Sequence, residues 1–271
     1  MGEFSRGLIE RSGYERAGFA DVYDRSRPAP PAELLEILML VAQIERPSLV
    51  VDLGAGTGLS TRVWADRAER AVGVEANARM VERARVVTAE QDVDYVQALA
   101  EETGLPDNAA DLVTCSQAFH WMEPAAVLAE AARMLRSGGV FAAYDYDVPP
   151  VVHPEIDEAF ALHFDERRRA RERLGLQAGA STWPKEQHVQ RIRDSGHFRS
   201  AREVVCHGFD ETDADRLTGL AESVGGPRAI FGDEAPEVGE SFERLRETAQ
   251  RVLGERSVPM VVCYRIRLGV K

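Results

Sequence analysis

In eleven residues, SLVVDLGAGTG, the chain passes from an apolar run through Asp52 to three alternate glycines, Gly54, Gly56 and Gly58. Nothing else in the sequence restricts the fold as strongly. Glycine adopts backbone angles closed to other residues, so it lets a strand turn sharply and lets a ligand approach the main chain. The stretch LSTRVWADRAER follows with helical period and leads into a second apolar run, AVGVEA, which together read as a βαβ unit. Such an arrangement brings backbone N–H groups and a helix N-terminus toward a ligand.

Short apolar runs and helix-period stretches continue to alternate, as in a parallel sheet with crossover helices. Further strands are expected at DVDYVQ, DLVTCSQAF and VFAAYDY, so five are in place by residue 146. Asn77 is placed to cap a helix carrying Met80, Val81, Ala84 and Val87, and Pro124 suits the first turn of a helix through Leu128, Ala132 and Leu135 that Gly138 and Gly139 end. After Pro149 and Pro150 come a charged helical segment over about 154–174, a second helix opening at Pro184, and a strand at REVVCHGF. Thr212 and Asp215 have capping-box spacing before a helix with Leu217 and Leu220, and VPMVVCYRIRLGV is a closing strand. The fold expected is α/β, with a doubly wound, mostly parallel seven-stranded sheet. Its parts are an N-terminal lid (1–31, with Tyr14, Phe19 and Tyr23), a core (32–150), a helical cap inserted after the fifth strand (151–200), and a C-terminal part with strands six and seven and an inserted helical segment (201–271). At 271 residues one core is near the size at which cores stop growing.

A net charge of -12 argues against a nucleic-acid partner, because such affinity rests on Lys and Arg neutralising phosphates. Lys185 and Lys271 are the only lysines among 33 basic residues, a scarcity that reads as codon bias. Cys115, Cys206 and Cys263 lie far apart in apolar stretches and suggest neither a disulfide framework nor a metal site. The N-terminal MGEFSRGLIERSGYERAG has no apolar secretory core, Arg6 stands where a myristoylation motif needs Ser or Thr, and no apolar run reaches membrane-spanning length. The expectation is a cytoplasmic protein with no membrane association.

The chemistry of the loop depends on one position. Dinucleotide-binding loops follow GxGxxG, whose last glycine belongs at position 59, and this chain has Leu59 there. A pyrophosphate over the loop is therefore not required. Glu75 ends the second strand at the spacing where an acid accepts hydrogen bonds from ribose hydroxyls and repels a 2′-phosphate.

With VVDLGAGTG, VGVEAN, ALAEETGLPDNAADLVTCSQAFHW and LRSGGVFAAY in this order, the chain resembles the class I S-adenosylmethionine (SAM)-dependent methyltransferases, in the type-11-like branch that includes trans-aconitate methyltransferases. The resemblance covers about residues 20–147 and implies the Rossmann-like methyltransferase fold. It implies that SAM sits on the loop from Asp52 through Gly54, Ala55, Gly56, Thr57 and Gly58, with Glu75 on the ribose, Ala76 and Met80 beside the adenine, and Ala100 and Glu101 at its edge. Many relatives have Asp before that Ala-Glu pair; here it is Leu99, so the adenine amine needs another partner. Ser116, Gln117 and Ala118 end the fourth strand, where open α/β sheets place ligands. Tyr23, Arg25 and Arg27 resemble an element that closes over the cofactor, and an arginine there is suited to the SAM carboxylate.

A sulfonium methyl is already electrophilic, so alignment and exclusion of water are the main demands on the protein. His120, at the mouth of the fourth strand, is the candidate base for a hydroxyl acceptor; a carboxylate needs none. Trp121, Tyr144, Tyr146 and His153, with Asp145 and Asp147 nearby, are candidates for the acceptor pocket. The run DERRRARERLG reads as a solvated helix face, and His163 and Phe164 as core. The expected function is methyl transfer to a small molecule, at a carboxylate or hydroxyl oxygen, yielding S-adenosylhomocysteine (SAH). The alternatives are a non-catalytic regulatory or scaffold subunit of the same fold and a nicotinamide-dependent oxidoreductase, the latter disfavoured by Leu59. The oligomeric state is left open.

Overall fold

The computed structural model describes residues 19–175, 183–224, 231 and 234–271; Tyr14 and residues 176–182 of the expected cap lie outside them. Seven strands, β1 Val50–Leu53, β2 Ala71–Glu75, β3 Val93–Gln97, β4 Ala110–Ser116, β5 Leu135–Tyr146, β6 Ser200–Thr212 and β7 Val258–Val270, form one sheet. Their order is β3-β2-β1-β4-β5-β7-β6, so the sheet reverses its winding between β1 and β4. The first five strands run parallel, and β7 is antiparallel to both its neighbours. The doubly wound, mostly parallel seven-stranded sheet expected from the sequence is what forms.

Helices cover both faces: α1 Phe19–Ser26, α2 Ala32–Ala42, α3 Ala78–Val87, α4 Pro124–Met134, α5 Pro154–Arg173, α6 His188–Asp194, α7 Ala214–Ser223 and α8 Pro236–Leu253. Parallel strands buried on both sides favour apolar residues on both faces, which is why β1 and β2 read as mostly apolar runs, with Asp52 and Glu75 near their ends, rather than alternations. Successive side chains point to opposite faces, so β1 sends Val50 into one core and Val51 and Leu53 into the other. The first core joins the sheet to α2, α5, α7 and α8 through Leu38, Phe160, Leu220 and Phe242. The second packs Val113 and Phe141 against Val127 and Leu128 of α4 and Ile192 of α6. No helix among the described residues is long and apolar enough to cross a membrane.

Several local expectations change. The helix expected over 59–70 is a series of turns with one short 3-10 segment, Arg62–Trp64. Ser60 and Thr61 each donate a hydroxyl to Asp52 Oδ2, at 2.6 and 2.7 Å, which draws the segment's start under the loop and mixes three- and four-residue hydrogen bonds. β4 stops at Ser116 instead of running to Phe119. α4 ends at Met134 and β5 begins at once, so Gly138 and Gly139 lie inside the strand, where the register shifts opposite Ala110 and Leu112; Gly138 has φ +81. Thr212 pairs with Val258 as the last residue of β6, so Asp213 caps α7 instead, accepting from Arg216 N at 2.7 Å. The sequence reading missed α8, although Pro236 in its first turn and Val238, Phe242, Leu245 and Ala249 at helical spacing are visible in the chain.

Candidate functional site

Asp52, next to last in β1, is fully buried, and an isolated carboxylate there would cost several kcal/mol. Three hydroxyls offset that cost: Ser60 and Thr61 on Oδ2 and Thr114 on Oδ1. Burial pushes its pKa up while the three donors pull it down. Asp52 thus ties β1, β4 and the loop together from behind. Gly54 has φ +70, and a Cβ there would lie 2.6 Å from Ala118 Cβ and 2.7 Å from Met122 Cε. Only a glycine lets the loop close onto the end of β4.

Four of the loop's N–H groups are engaged within the protein. Gly54 and Ala55 donate to Val74 O, Gly58 donates to Ala55 O, and Gly56 donates to Glu75 Oε2 at 2.9 Å. The expectation that these N–H groups would point at a ligand is corrected for these four: three brace the loop against β2 and the fourth closes its own turn. Thr57 likewise turns away, its hydroxyl on Asp24 Oδ1. Gly58 is needed because Tyr95 sits beneath it, with the phenol oxygen 2.1 Å from where a Cβ would be.

The loop, the end of β2 and the end of β4 line a cleft that is open at its mouth. Gly54 and Gly56 form its floor, Glu75, Ala76 and Met80 one wall, and Ala100 and Glu101 its edge. Ser116, Gln117 and Ala118 form the opposite wall, with Tyr23 of α1 and Trp121 at the rim. The Glu75 carboxylate accepts from Asn77 N at 2.8 Å as well as from Gly56 N, and each oxygen keeps a lone pair for a further donor. Burial raises its pKa, opposed by these backbone donors. Asn77 also caps α3, as the sequence indicated, accepting from Arg79 N and Met80 N.

A second, smaller bay shares Tyr23, Gly54, Ser116 and Gln117 with the first cleft. Arg27, Ala55 and Tyr146 line it, with Pro28, Pro30 and Leu59 supplying apolar surface. The Arg27 guanidinium lies 4.0 Å from the Tyr23 ring centroid and donates to Ser223 Oγ and O. Tyr144 lies buried and lines neither space, while Trp121 belongs to the first cleft rather than to the bay. His153 flanks α5, lines neither space, and donates from its backbone to Asp157.

His120 also lines neither space. Its Nδ1 is 3.7 Å from Asp145 Oδ1, and burial together with Lys185, Arg27 and Arg267 holds its pKa well below the usual histidine value. Asp145 is the centre of a buried polar cluster: Arg267 donates to it at 2.9 Å and Lys185 Nζ lies 2.6 Å away. Lys185, to which the sequence reading gave no task, also donates to Gln117 Oε1 at 3.2 Å. The available signal was its rarity, one of two lysines in an arginine-rich chain. In the arginine run, Arg168 and Arg169 pair with Asp165 and Glu166 in solvent, but Arg167 is buried and donates to Ala221 O.

Sheet order, glycine loop and acidic β2 terminus together define the class I methyltransferase architecture. Residues 51–143 match the family model of a methyltransferase domain. An uncharacterized methyltransferase of Mycobacterium tuberculosis is 38% identical over 117 residues, covering 43% of this chain and 46% of that one. The chain spans about half the length of the curated relatives it matches. Among solved structures, a protein of Anaeromyxobacter dehalogenans proposed to be a Type II methyltransferase superposes with a TM-score of 0.64 at 24% identity, covering 90% of this chain and 97% of that one. A Haemonchus contortus phosphoethanolamine N-methyltransferase in complex with phosphomonomethylethanolamine and SAH superposes with a TM-score of 0.56 at 17% identity, covering 100% of this chain and 60% of that one.

Proposed function

We propose that the chain is a SAM-dependent methyltransferase that methylates a small molecule at oxygen, with SAM in the larger cleft and the acceptor in the bay beside it. The observation that carries this reading is the braced loop: the N–H groups of Gly54, Ala55, Gly56 and Gly58 are already spent on Val74, Ala55 and Glu75, while Gly54 is packed against Ala118 and Glu75 lines the cleft. Such a site suits a ribose with an uncharged or zwitterionic tail and does not suit a pyrophosphate.

SAM fits the donors present. Glu75 would take the ribose hydroxyls, Ala76, Met80, Ala100 and Glu101 the adenine, and Gly54, Gly56, Ser116, Gln117 and Ala118 the methionyl part. Tyr23 would close over it from α1, and Arg27 supplies positive charge at the boundary of the two spaces. When bound, SAM supplies an electrophilic methyl on a sulfonium. The protein's task is then to hold the acceptor in line and exclude water. His120, held neutral with a lowered proton affinity, is a poor general base at neutral pH. An already ionised carboxylate, which needs no base, is therefore the better supported of the two oxygen acceptors, with Arg27 in the bay to meet it. The lid role of the N-terminal segment and the cap role of 151–200 in selecting the acceptor belong to the same proposal.

Titration calorimetry of the purified chain with SAM and with SAH tests the cofactor; absence of heat from both compounds would end the reading. Incubation with SAM and a panel of small carboxylic acids and phenols, read by mass spectrometry, then tests the acceptor. Methylation of carboxylic acids is expected, and methylation of phenols alone would overturn the carboxylate preference.

A further inference from the structure

Gln117 has φ +52, an angle that non-glycine residues seldom hold, at the wall shared by the cofactor cleft and the bay. Its backbone is pinned by a bond from its N–H to Tyr144 O at 2.9 Å. The side-chain amide has one accepting and one donating end, so its neighbours dictate how it faces. Lysine carries only donors and takes the oxygen, at 3.2 Å; the Tyr146 carbonyl only accepts and faces the nitrogen, at 3.5 Å. Lys185 is itself fixed, because Asp145 lies 2.6 Å away and is anchored from its other oxygen by Arg267. The segment bearing Lys185 is also tied to the end of this loop by the bond from Trp183 N to His120 O at 2.8 Å.

We propose that Lys185 is a positioning residue: it holds the Gln117 amide with its oxygen turned away and its nitrogen toward the wall between the two spaces. This rests on the SAM reading above. The donor end of an amide, unlike its acceptor end, disfavours a positive charge beside it. The wild-type wall therefore does not stabilise a sulfonium more than the neutral thioether left after transfer. Freed from Lys185, the amide can turn its oxygen to the cleft and favour the sulfonium.

The test needs no acceptor. In calorimetry with SAM and SAH as the two probes, Lys185→Met is expected to lower the ratio Kd(SAM)/Kd(SAH) by about 3-fold or more relative to wild type. Lys185→Arg, which still presents donors to the oxygen, should stay within about 2-fold of the wild-type ratio. In a Gln117→Leu background the Lys185→Met effect should vanish. Arg267 still neutralises Asp145 in these variants; should Lys185→Met not fold, Lys185→Ala carries the same expectation. An unchanged ratio overturns the proposal, as does equal weakening of both ligands or a full-sized effect in the Gln117→Leu background. A wild-type chain that binds neither compound overturns the SAM reading itself, before any variant is made.

Discussion

The cofactor wall draws nearly all its residues from one continuous stretch, Gly54 to Met122, joined by Tyr23. The bay beside it adds to Gly54, Ala55, Leu59, Ser60, Ser116 and Gln117 of that stretch Tyr23, Arg27, Pro28 and Pro30 from the N-terminal segment and Tyr146 from β5, and Ser223 of α7 steadies Arg27. One is a local product of strand ends and a turn, in which main-chain geometry and a few required glycines do most of the shaping. The other is an assembly of distant segments, in which side-chain size and charge matter more. A ligand common to many proteins suits the first construction, and a variable acceptor suits the second.

This contrast can be broken most sharply at Gly54. Gly54→Ala adds a Cβ 2.6 Å from Ala118 Cβ at a backbone angle that disfavours side chains, so SAH affinity should fall roughly 100-fold, about 2.7 kcal/mol, by calorimetry. Retention of wild-type affinity would mean that the cleft is not shaped by this approach. Glu75→Gln keeps the size of the side chain but removes the charge facing Gly56 N, Asn77 N and the proposed ribose site; a loss of roughly 10-fold, about 1.4 kcal/mol, is expected in the same assay.

Acid should expose the packing around Phe119 and Asp145 more than the loop. Burial holds His188 down to about 3, and His120 is also well below its ordinary value. Below pH 6.5 the unfolded chain takes up protons that these folded histidines refuse, so stability falls with pH, by at most about 1.4 kcal/mol per unit for each histidine. Glu130, lowered to about 2 chiefly by Arg133, adds a loss in the same direction below its ordinary 4.5. Urea melts between pH 7 and 5 should show the slope, and His188→Gln should flatten it; an unchanged slope would remove His188 from the account. The smallest effect is expected at Tyr146→Phe, with SAH affinity within about 2-fold of wild type and any change confined to acceptor turnover. A large loss of SAH binding there would erase the distinction between wall and bay.

What was legible in the sequence follows the same division. Apolar runs, Asn77 before α3, and the loop with Glu75 nineteen residues beyond Gly56 were readable because each depends on neighbours in the chain. The helix expected over 59–70 failed because Ser60 and Thr61 hydroxyls are drawn to a buried Asp52, which periodicity does not report. Thr212 has a capping residue's chemistry but is held in β6 by its pairing with Val258. His120 and Tyr144 had the right chain positions at strand ends, yet packing put them behind the walls of both spaces.

The alternation of strands and helices, the place of the loop and the acid at the end of β2 follow from the chain, since strand period, glycine angles and spacing are local constraints. Folding in three dimensions sets the order of the strands, spends the N–H groups of Gly54, Ala55 and Gly56 on β2, brings Lys185 to Gln117 across 68 positions, and converges Arg267 and Lys185 on Asp145. Those contacts depend on how α6, β5 and β7 pack together, and a buried charge selects its partner by proximity and desolvation, neither of which is written in any one segment.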